Sequence, residues 1–495
     1  MWNAASNASL TPRRSLSAKA AATVRGRAKH LLLGAAAAAT LSGCAAIPKL
    51  GPEPQPKAPA TYATAESFAA PSADWPADRW WTAYRDPQLD KLIDEALAGS
   101  PDLVQAEARV RQAQAIAEQT NSALLPHLNA GASAVGINPS HNLGLPSGLM
   151  PHGWRDLEIV GVGLDWQIDF FGRNRALLAA ATSEAEARRA DVAEARLALS
   201  TGIAGAYADL AQLYAERDAA LEAVRVRTES EALISARAEH GLETDAARDR
   251  AHSASAAAKE QLAAIDEAIG LARNGIAALM GQGPDRGLAI ARPTPGTIRA
   301  FGLPANLPAE LVGRRPDIVA ARLTAQAAQK RIKAAKADFY PNVNILALAG
   351  ASSIGLNMLT KAGSGFGAAG AAVTLPIFSA GRLEGAYRGA RADYDTAVAA
   401  YDKTLVRALQ EVADNAVSAQ ALETRLADSR DSLAAADKAY DLTRQRYARG
   451  LGTYLDVLSA EDALISSRRQ VADLEARSFI LDVSLIRALG GGYRA

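Results

Sequence analysis

The sequence predicts a mainly α-helical fold that carries a β-barrel, assembled from a strand-pair and helix-hairpin unit that occurs twice in the chain. Three observations lead to this prediction. Short motifs recur at a constant spacing, two long segments contain no proline, and short segments alternate apolar residues with small or polar ones. The longest apolar run, residues 31–41, is too short for a membrane-spanning helix, which needs about 20 residues. Any membrane crossing is therefore predicted to be made by strands.

The recurring motifs are centred on glycine and lie 209 positions apart. Gly172 corresponds to Gly381 (381 − 172), and Gly241 corresponds to Gly450 (450 − 241), each of the latter two being followed by leucine. A constant offset means that the segments between the motifs have equal lengths, which indicates an internal duplication. The two repeats are predicted to span residues 79–290 and 291–495.

The proline-free segments predict the helices. Proline is absent from residues 152–283 and 377–495, and all 22 prolines lie elsewhere. Because proline breaks helix interiors while Ala, Glu, Arg and Leu favour helix, we expect long helices in both segments. Each is predicted to be a helix hairpin that turns at its Gly-Leu pair. The predicted hairpins are residues 172–281 and 381–490.

The alternating segments predict the strands. In the clearest case Val160, Val162 and Leu164 alternate with Gly161 and Gly163, which would place an apolar side on lipid and a small or polar side on water. We predict four such strands, a pair in each repeat, at about residues 128–137, 157–168, 342–352 and 364–378. Residues 138–153 and 354–364, which contain glycine and serine, are predicted to be the loops that join each pair.

Four strands are too few to close a barrel, and an open sheet edge within lipid would leave backbone groups without hydrogen bonds. Several copies must therefore share one barrel. Three copies supply 12 strands, which is an even number and a common barrel size. The sequence thus predicts a homotrimer in which the helices form a tube that continues the barrel.

The N-terminal segment has the parts of a secretory signal, namely basic residues, an apolar run at 31–41 and small residues before the single cysteine, Cys44. Because it ends on cysteine, it resembles the processing box of bacterial lipoproteins. We expect residues 1–43 to be a lipoprotein signal peptide, Cys44 to carry the lipid, and residues 44–78 to form a lipid-anchored, proline-rich tether. The alternative is an ordinary signal peptide with an incidental cysteine.

Composition and motifs argue against other classes of protein. The formal net charge of +1 provides no basic surface for nucleic acid. No two of the six histidines form a ligand pair on one helical face with a suitable acid, so no metal site is predicted. The glycine-rich stretch 281–287 follows a helix and contains proline, unlike a phosphate-binding loop. We expect no catalytic site, no enzyme activity and no cofactor apart from the lipid on Cys44.

Two stretches carry a family resemblance that extends over the whole mature chain: Trp80–Leu89, which reads WWTAYRDPQL, and Leu303–Ile318, which reads LPANLPAELVGRRPDI. Together with Cys44 and the duplicated plan, they resemble the TolC-like outer membrane factors, specifically the lipidated NodT/OprM-type efflux lipoproteins. The resemblance implies a trimer with a 12-stranded barrel in the outer membrane and an α-helical barrel that extends into the periplasm. The two tryptophans are themselves interpreted as packing anchors.

The resemblance also implies function and partners. It points to the outer-membrane channel of a tripartite, RND-type efflux system, a passive duct for drugs or other small toxic molecules. A periplasmic adaptor protein and an inner-membrane pump would dock at its closed end. Two alternatives stay open at this point: the outer-membrane duct of type I protein secretion, and a structural periplasmic coiled-coil lipoprotein. The coiled-coil alternative predicts no strands at the four segments named above.

The hairpin turns match the family's adaptor-contact tips. The matching residues are Gly241 and Leu242 in the first hairpin and Gly450 and Leu451 in the second. The simpler interpretation is that each glycine only permits the turn between two helices. Both interpretations can hold together.

The second hairpin also matches the family's periplasmic gate. Asp456 stands where a family aspartate faces the axis and forms a constricting ring, and Tyr447 matches a tyrosine of the links that hold the tip shut. Ser459 stands where a second acid is common and Gly452 where an arginine can stand, so the lock here is expected to be weaker or differently built. The alternative for Asp456 is an ordinary exposed acid at a helix start.

Overall fold

The computed structural model describes residues 47–138, 153–294 and 301–495. The predicted lipidation site, Cys44, and most of the predicted loop 138–153 lie outside these residues. Within the described part, the chain folds into two compact units. The strand unit contains Asn121–Ala176 and Ile332–Ala390, and the helical unit contains Pro52–Thr120, Leu177–Arg331 and Arg391–Ala495.

The helices show the duplication directly. The helices of the described residues are α1 (Pro87–Gly99), α2 (Pro101–Ser122), α3 (Arg173–Glu239), α4 (Asp245–Leu279), α5 (Asp285–Leu288), α6 (Leu307–Arg314), α7 (Pro316–Ala337), α8 (Arg382–Ala448) and α9 (Tyr454–Ala488). α3 and α8 both have 67 residues, and α4 and α9 both have 35. Among these residues, none of the helices has an apolar stretch long enough to cross a membrane.

The strand unit contains one antiparallel sheet in the order β1-β2-β3-β4. Its strands are β1 (His127–Ile137), β2 (Arg155–Ile168), β3 (Asn342–Ile354) and β4 (Gly365–Thr374). Three strands match their predicted ranges within two residues, but the prediction for the fourth ran too far. β4 ends at Thr374 because Pro376 lacks the N–H that a continuing ladder would need. The coiled-coil alternative, which predicted no strands at all, is wrong.

The core of the helical unit is built on large aromatic anchors. Trp80 and Trp81 lie in a 3-10 turn, are 1% and 5% exposed, and pack edge to face against each other. They share one hydrophobic cluster with residues of α1, α3 and α4, including Ile93, Tyr207 and Ile276. The interpretation of the tryptophans as packing anchors is therefore confirmed. Their burial ties the N-terminal part of the unit to the long helices.

The described part of the predicted tether lies along the long helix of the second repeat. The backbone N–H of Lys57 donates to Asp402 Oδ1 at 2.9 Å, and the Tyr394 hydroxyl donates to the carbonyl oxygen of Pro54 at 3.1 Å. Asp402 and Tyr394 both belong to α8. Residues 47–58 of this stretch form no helix or strand and are held in place by hydrogen bonds to α8.

Candidate functional site

The strand register separates the sheet into two chemically different faces. On one face Val160, Val162 and Leu164 of β2 lie opposite Ala351, Ala349 and Ala347 of β3. Trp166 and Ile168 extend the same face opposite Ile345 and Val343. The middle of this face therefore carries only apolar side chains, as a surface in contact with lipid requires.

The opposite face carries polar residues at one end of the sheet, whereas Glu158 and Ser353 lie at the other end of the apolar face. Gln167 of β2 lies opposite Asn344 of β3, and Asp165 lies between Leu346 of β3 and His127 of β1. Alternation of apolar and polar faces is what distinguishes a barrel wall between lipid and water from a strand buried in a protein core. The pairing thus carries the apolar face of β2 across the middle of the sheet, while the opposite face mixes polar residues and glycine with Leu346 and Leu348.

The two outer strands leave the sheet open. Within the described residues β1 pairs only with β2, and β4 pairs only with β3. Each outer strand therefore has one edge whose backbone N–H and C=O groups have no strand beside them. Such edges are ready to pair with another strand, and inside lipid they would have to do so.

The two hairpin tips are built in the same way. At the end of α3 the N–H of Leu242 donates to the carbonyl of Arg237 at 2.8 Å, around Gly241 with φ of 71°. At the end of α8 the N–H of Leu451 donates to the carbonyl of Arg446 at 2.9 Å, around a glycine with φ of 75°. Both are Schellman turns, which need the left-handed conformation that glycine adopts freely.

The four predicted tip residues therefore lie where the sequence placed them, at the two helix turns. Leu242 and Leu451 are 64% and 65% exposed, although leucine normally avoids water. The glycines with positive φ explain the turns.

Asp456 has a definite local role at the start of α9. Its carboxylate accepts hydrogen bonds from the backbone N–H of Thr453 at 2.9 Å and from the Thr453 hydroxyl at 2.8 Å, while the Thr453 hydroxyl accepts from the Asp456 N–H. These hydrogen bonds form a capping box. In the single chain, Asp456 therefore has the geometry of an acid at a helix start, which was the alternative interpretation. The N–H and hydroxyl of Thr453 hold the pKa of the Asp456 carboxyl below its usual value, with a smaller effect from Arg446. The carboxylate is exposed and ionised.

Tyr447 joins the two hairpins. It lies in the last turn of α8, is 4% exposed, and donates its hydroxyl proton to Glu243 Oε1 at 2.9 Å. Glu243 lies in the turn between α3 and α4. Burial, followed by the hydrogen bond to Glu243, raises the pKa of Tyr447 to about 12, so the phenol remains a donor.

Aromatic and cationic groups support this link. The guanidinium of Arg237 lies 5.0 Å from the centre of the Tyr447 ring, and its Nε is 3.9 Å from Glu243 Oε1. The ring of Tyr454 lies 6.2 Å from that of Tyr447. We call the buried apolar group around the link the tip cluster. It contains Ile234, Ala251, Tyr440, Tyr447, Tyr454, Val457 and Leu464.

The structure brings some predicted residues together and adds others. A Cβ at Gly452 would lie 3.7 Å from Asp456 Oδ2 and 3.8 Å from the backbone nitrogen of Tyr447, so both predicted gate residues border this glycine. Glu243, the partner of Tyr447, was missed. Alignment of the two repeats could have pointed to Glu243, because it is the equivalent of Gly452 in the second hairpin, and an acid and a glycine differ in chemistry.

Comparison with known proteins identifies relatives over most of the chain. Residues 92–282 and 307–491, which make up more than half of it, match the family described as Outer membrane efflux protein. The chain is 38% identical over 315 residues to the fusaric acid resistance protein FusA of Burkholderia cepacia. That match covers 63% of this chain but only 59% of FusA, which is less than two thirds of that protein's length.

Two further relatives match over nearly their whole length. The multidrug resistance outer membrane protein MdtP of Escherichia coli (strain K12) is 30% identical over 466 residues, which cover 92% of this chain and 94% of MdtP. The crystal structure of the outer membrane protein VceC from Vibrio cholerae superposes with a TM-score of 0.80 at 41% identity, covering 85% of this chain and 100% of that one. The predicted fold class, mainly helical with two pairs of antiparallel strands, is confirmed.

Proposed function

The chain belongs to the outer membrane efflux protein family and is an outer-membrane efflux channel rather than an enzyme, and from this premise we propose that it works as a homotrimer. The observation that carries the proposal is the open four-stranded sheet with one wholly apolar central face. β4 of each copy would pair with β1 of the next, so that three sheets close one 12-stranded barrel. The face that bears Val162 would contact lipid, and the face that bears Asp165 would line the water-filled channel.

The proposal extends to the way the chain is anchored and divided. Residues 1–43 would be removed as a lipoprotein signal peptide, and Cys44 would then carry the lipid. Residues 44–78 would connect this lipid to the two structural repeats, 79–290 and 291–495. The hydrogen bonds of Lys57 and Pro54 to α8 support a tether that is fixed along the helical unit. Acyl chains would add to the membrane contact of the barrel.

A periplasmic gate is proposed at the hairpin tips. The Tyr447–Glu243 hydrogen bond joins the second hairpin to the first and would hold the tips in their closed positions. Asp456 is exposed and ionised at the start of α9, so three symmetry-related copies could form a negatively charged ring. Such a ring would narrow the passage and favour cations. Asp456 can cap α9 and also face the passage, because the cap uses only one of its two carboxylate oxygens.

The partners would be a periplasmic adaptor protein and an inner-membrane pump of the RND type. Leu242 and Leu451 are exposed at matching turns, next to Gly241 and Gly450, and would be the points that the adaptor contacts. FusA and MdtP are named for resistance to fusaric acid and to multiple drugs. We therefore propose drugs or other small toxic molecules as substrates, with the pump supplying the energy.

The experiment that tests this function is purification of the full-length lipoprotein in detergent, followed by mass measurement and insertion into planar lipid bilayers. A trimer whose mobility in SDS gels differs between unheated and boiled samples, and which conducts ions, is expected. A monomer without sheet in circular dichroism and without conductance would refute the proposed channel.

A further inference from the structure

A second link between the hairpins lies farther from the tips. Arg227 of α3 extends between two neighbouring acids of α9, Glu461 and Asp462. Its Nε is 2.7 Å from Glu461 Oε1, and its terminal nitrogen contacts Asp462 Oδ1. The side chain of Glu461 is 1% exposed, whereas that of Asp462 is 64% exposed. One arginine therefore joins a buried and a solvated carboxylate.

The buried half of this link has few other partners. Neither oxygen of Glu461 accepts a well-aimed hydrogen bond from the described residues, and the buried hydroxyl of Tyr454 likewise has none there. The tip cluster includes Tyr454 and Leu464, which lie on α9 on either side of Glu461 in the sequence, and Tyr440 of α8. Burial raises the pKa of the Glu461 carboxyl, and the nearby Arg227 opposes that effect. A buried acid with one cationic partner depends strongly on that partner.

The position of the link separates it from the Tyr447–Glu243 hydrogen bond. Arg227 lies 12 residues before the end of α3 at Glu239, which corresponds to about 18 Å along a helix at 1.5 Å per residue. The two links join the same two hairpins at different heights. A movement that separates α3 from α9 must break the Arg227–Glu461 contact, whereas the link at the tip joins α8 to the turn between α3 and α4.

From this arrangement we propose that Arg227 is a positioning residue of the closed channel, holding the second hairpin against α3 through its buried ion pair with Glu461. The inference rests on the proposed gate. It predicts an asymmetry between the two partners. Loss of Arg227 leaves a buried carboxylate without a counter-charge, whereas loss of Glu461 leaves Arg227 paired with the solvated Asp462.

The test is a double-mutant cycle of R227L, E461L and R227L/E461L, measured as single-channel conductance of the full-length trimer in planar bilayers. We expect R227L to shift the equilibrium toward separated hairpins about tenfold or more, and so to raise the mean conductance, because breaking a buried pair on one side is strongly destabilising. The double variant should return to within about twofold of the wild type, because a leucine pair leaves no buried charge unpaired. The matched control is R430L, which removes the exposed Arg430–Glu475 pair between α8 and α9 within one hairpin and should change nothing.

The outcomes separate this inference from the gate on which it rests. If R227L conducts like the wild type while Y447F conducts more, the role of Arg227 is refuted and the tip link stands. If neither variant changes conductance, the proposed gate itself fails. Additive increases in the double variant would show that the two residues do not act as a pair. Should R227L fail to assemble, R227K, which keeps the charge but loses the planar fork, should raise conductance by a smaller factor.

Discussion

Replacement of Tyr447 by phenylalanine is the most direct test of the tip link. The substitution removes one hydroxyl from a side chain that is 4% exposed and leaves the ring contacts with Arg237 and Tyr454 in place. The lost interaction is a hydrogen bond of 2.9 Å to the carboxylate of Glu243, whose side chain is 19% exposed. A hydrogen bond to a charged group contributes about 1.5–3 kcal/mol.

That free energy predicts the size of the effect. Because about 1.4 kcal/mol corresponds to a factor of ten in an equilibrium constant, Y447F should favour separation of the hairpins about tenfold to a hundredfold in each chain. The measurement is single-channel conductance of purified trimers in planar bilayers, together with the sensitivity of cells to antibiotics too large for closed channels. Both the mean conductance and the sensitivity should rise.

Tyr440 provides the matched control. It belongs to the same tip cluster and is 9% exposed, but its hydroxyl makes no hydrogen bond to the described residues. Y440F should therefore leave conductance unchanged. If Y447F and Y440F behave alike, the hydrogen bond to Glu243 does not hold the tips, and the expected tenfold to hundredfold shift does not occur.

Three further predictions concern the ring, the helical unit and the sheet. D456A should raise conductance, because it removes the charge from the proposed ring, and should lower the thermal midpoint slightly through loss of the capping box. E194Q should raise the free energy of unfolding by up to about 3 kcal/mol at pH 8, because burial, then the carboxylate of Asp317, raises the pKa of Glu194 to about 7 from 4.5. The neutral acid is favoured in the fold, so the wild type loses stability as pH rises from 4.5 through 7, and the two proteins should coincide near pH 4 in urea titrations. V162R should reduce assembled trimer in membranes, because arginine on a lipid-facing strand costs about 2–4 kcal/mol at mid-membrane.

Each of these predictions has its own control. D456N keeps an acceptor for the Thr453 N–H, so it separates loss of the cap from loss of the charge. An equal response of E194Q at pH 4 and pH 8 would show that ionisation of the carboxyl is not the cause. L348R places the same charge on the opposite face of the sheet and should assemble normally. If it fails as V162R does, the assignment of the two faces is wrong.

The sequence predicted the regular parts of the fold because their signals are local. Proline placement and the constant offset located the long helices, and the alternation around Val162 located β2. The end of β4 was missed, because Ala and Gly fill this segment and its period-two pattern is weak. Only Pro376 marks the true end of the strand.

The candidate site was only half predictable. Tyr447 and Asp456 could be proposed from the hairpin motif, but the partner of Tyr447 lies 204 residues away in the first repeat. In the sequence Arg227 and Glu461 resemble ordinary charges on solvated helix faces, since nothing in a single helix reveals that both are buried. Burial and pairing across distant segments arise only when the helices pack.

The two hairpins have helices of identical length, yet their ends differ at the positions that matter most: Glu243 corresponds to Gly452 in the repeat, and Asp456 corresponds to Ala247. In the proposed trimer, six hairpin tips would surround the axis, and tips of the first hairpin would alternate with tips of the second. A single substitution at Glu243 or at Asp456 would change three of the six tips and leave the other three as they are. Duplication of one ancestral hairpin thus allows closure and docking to be adjusted separately by natural variation.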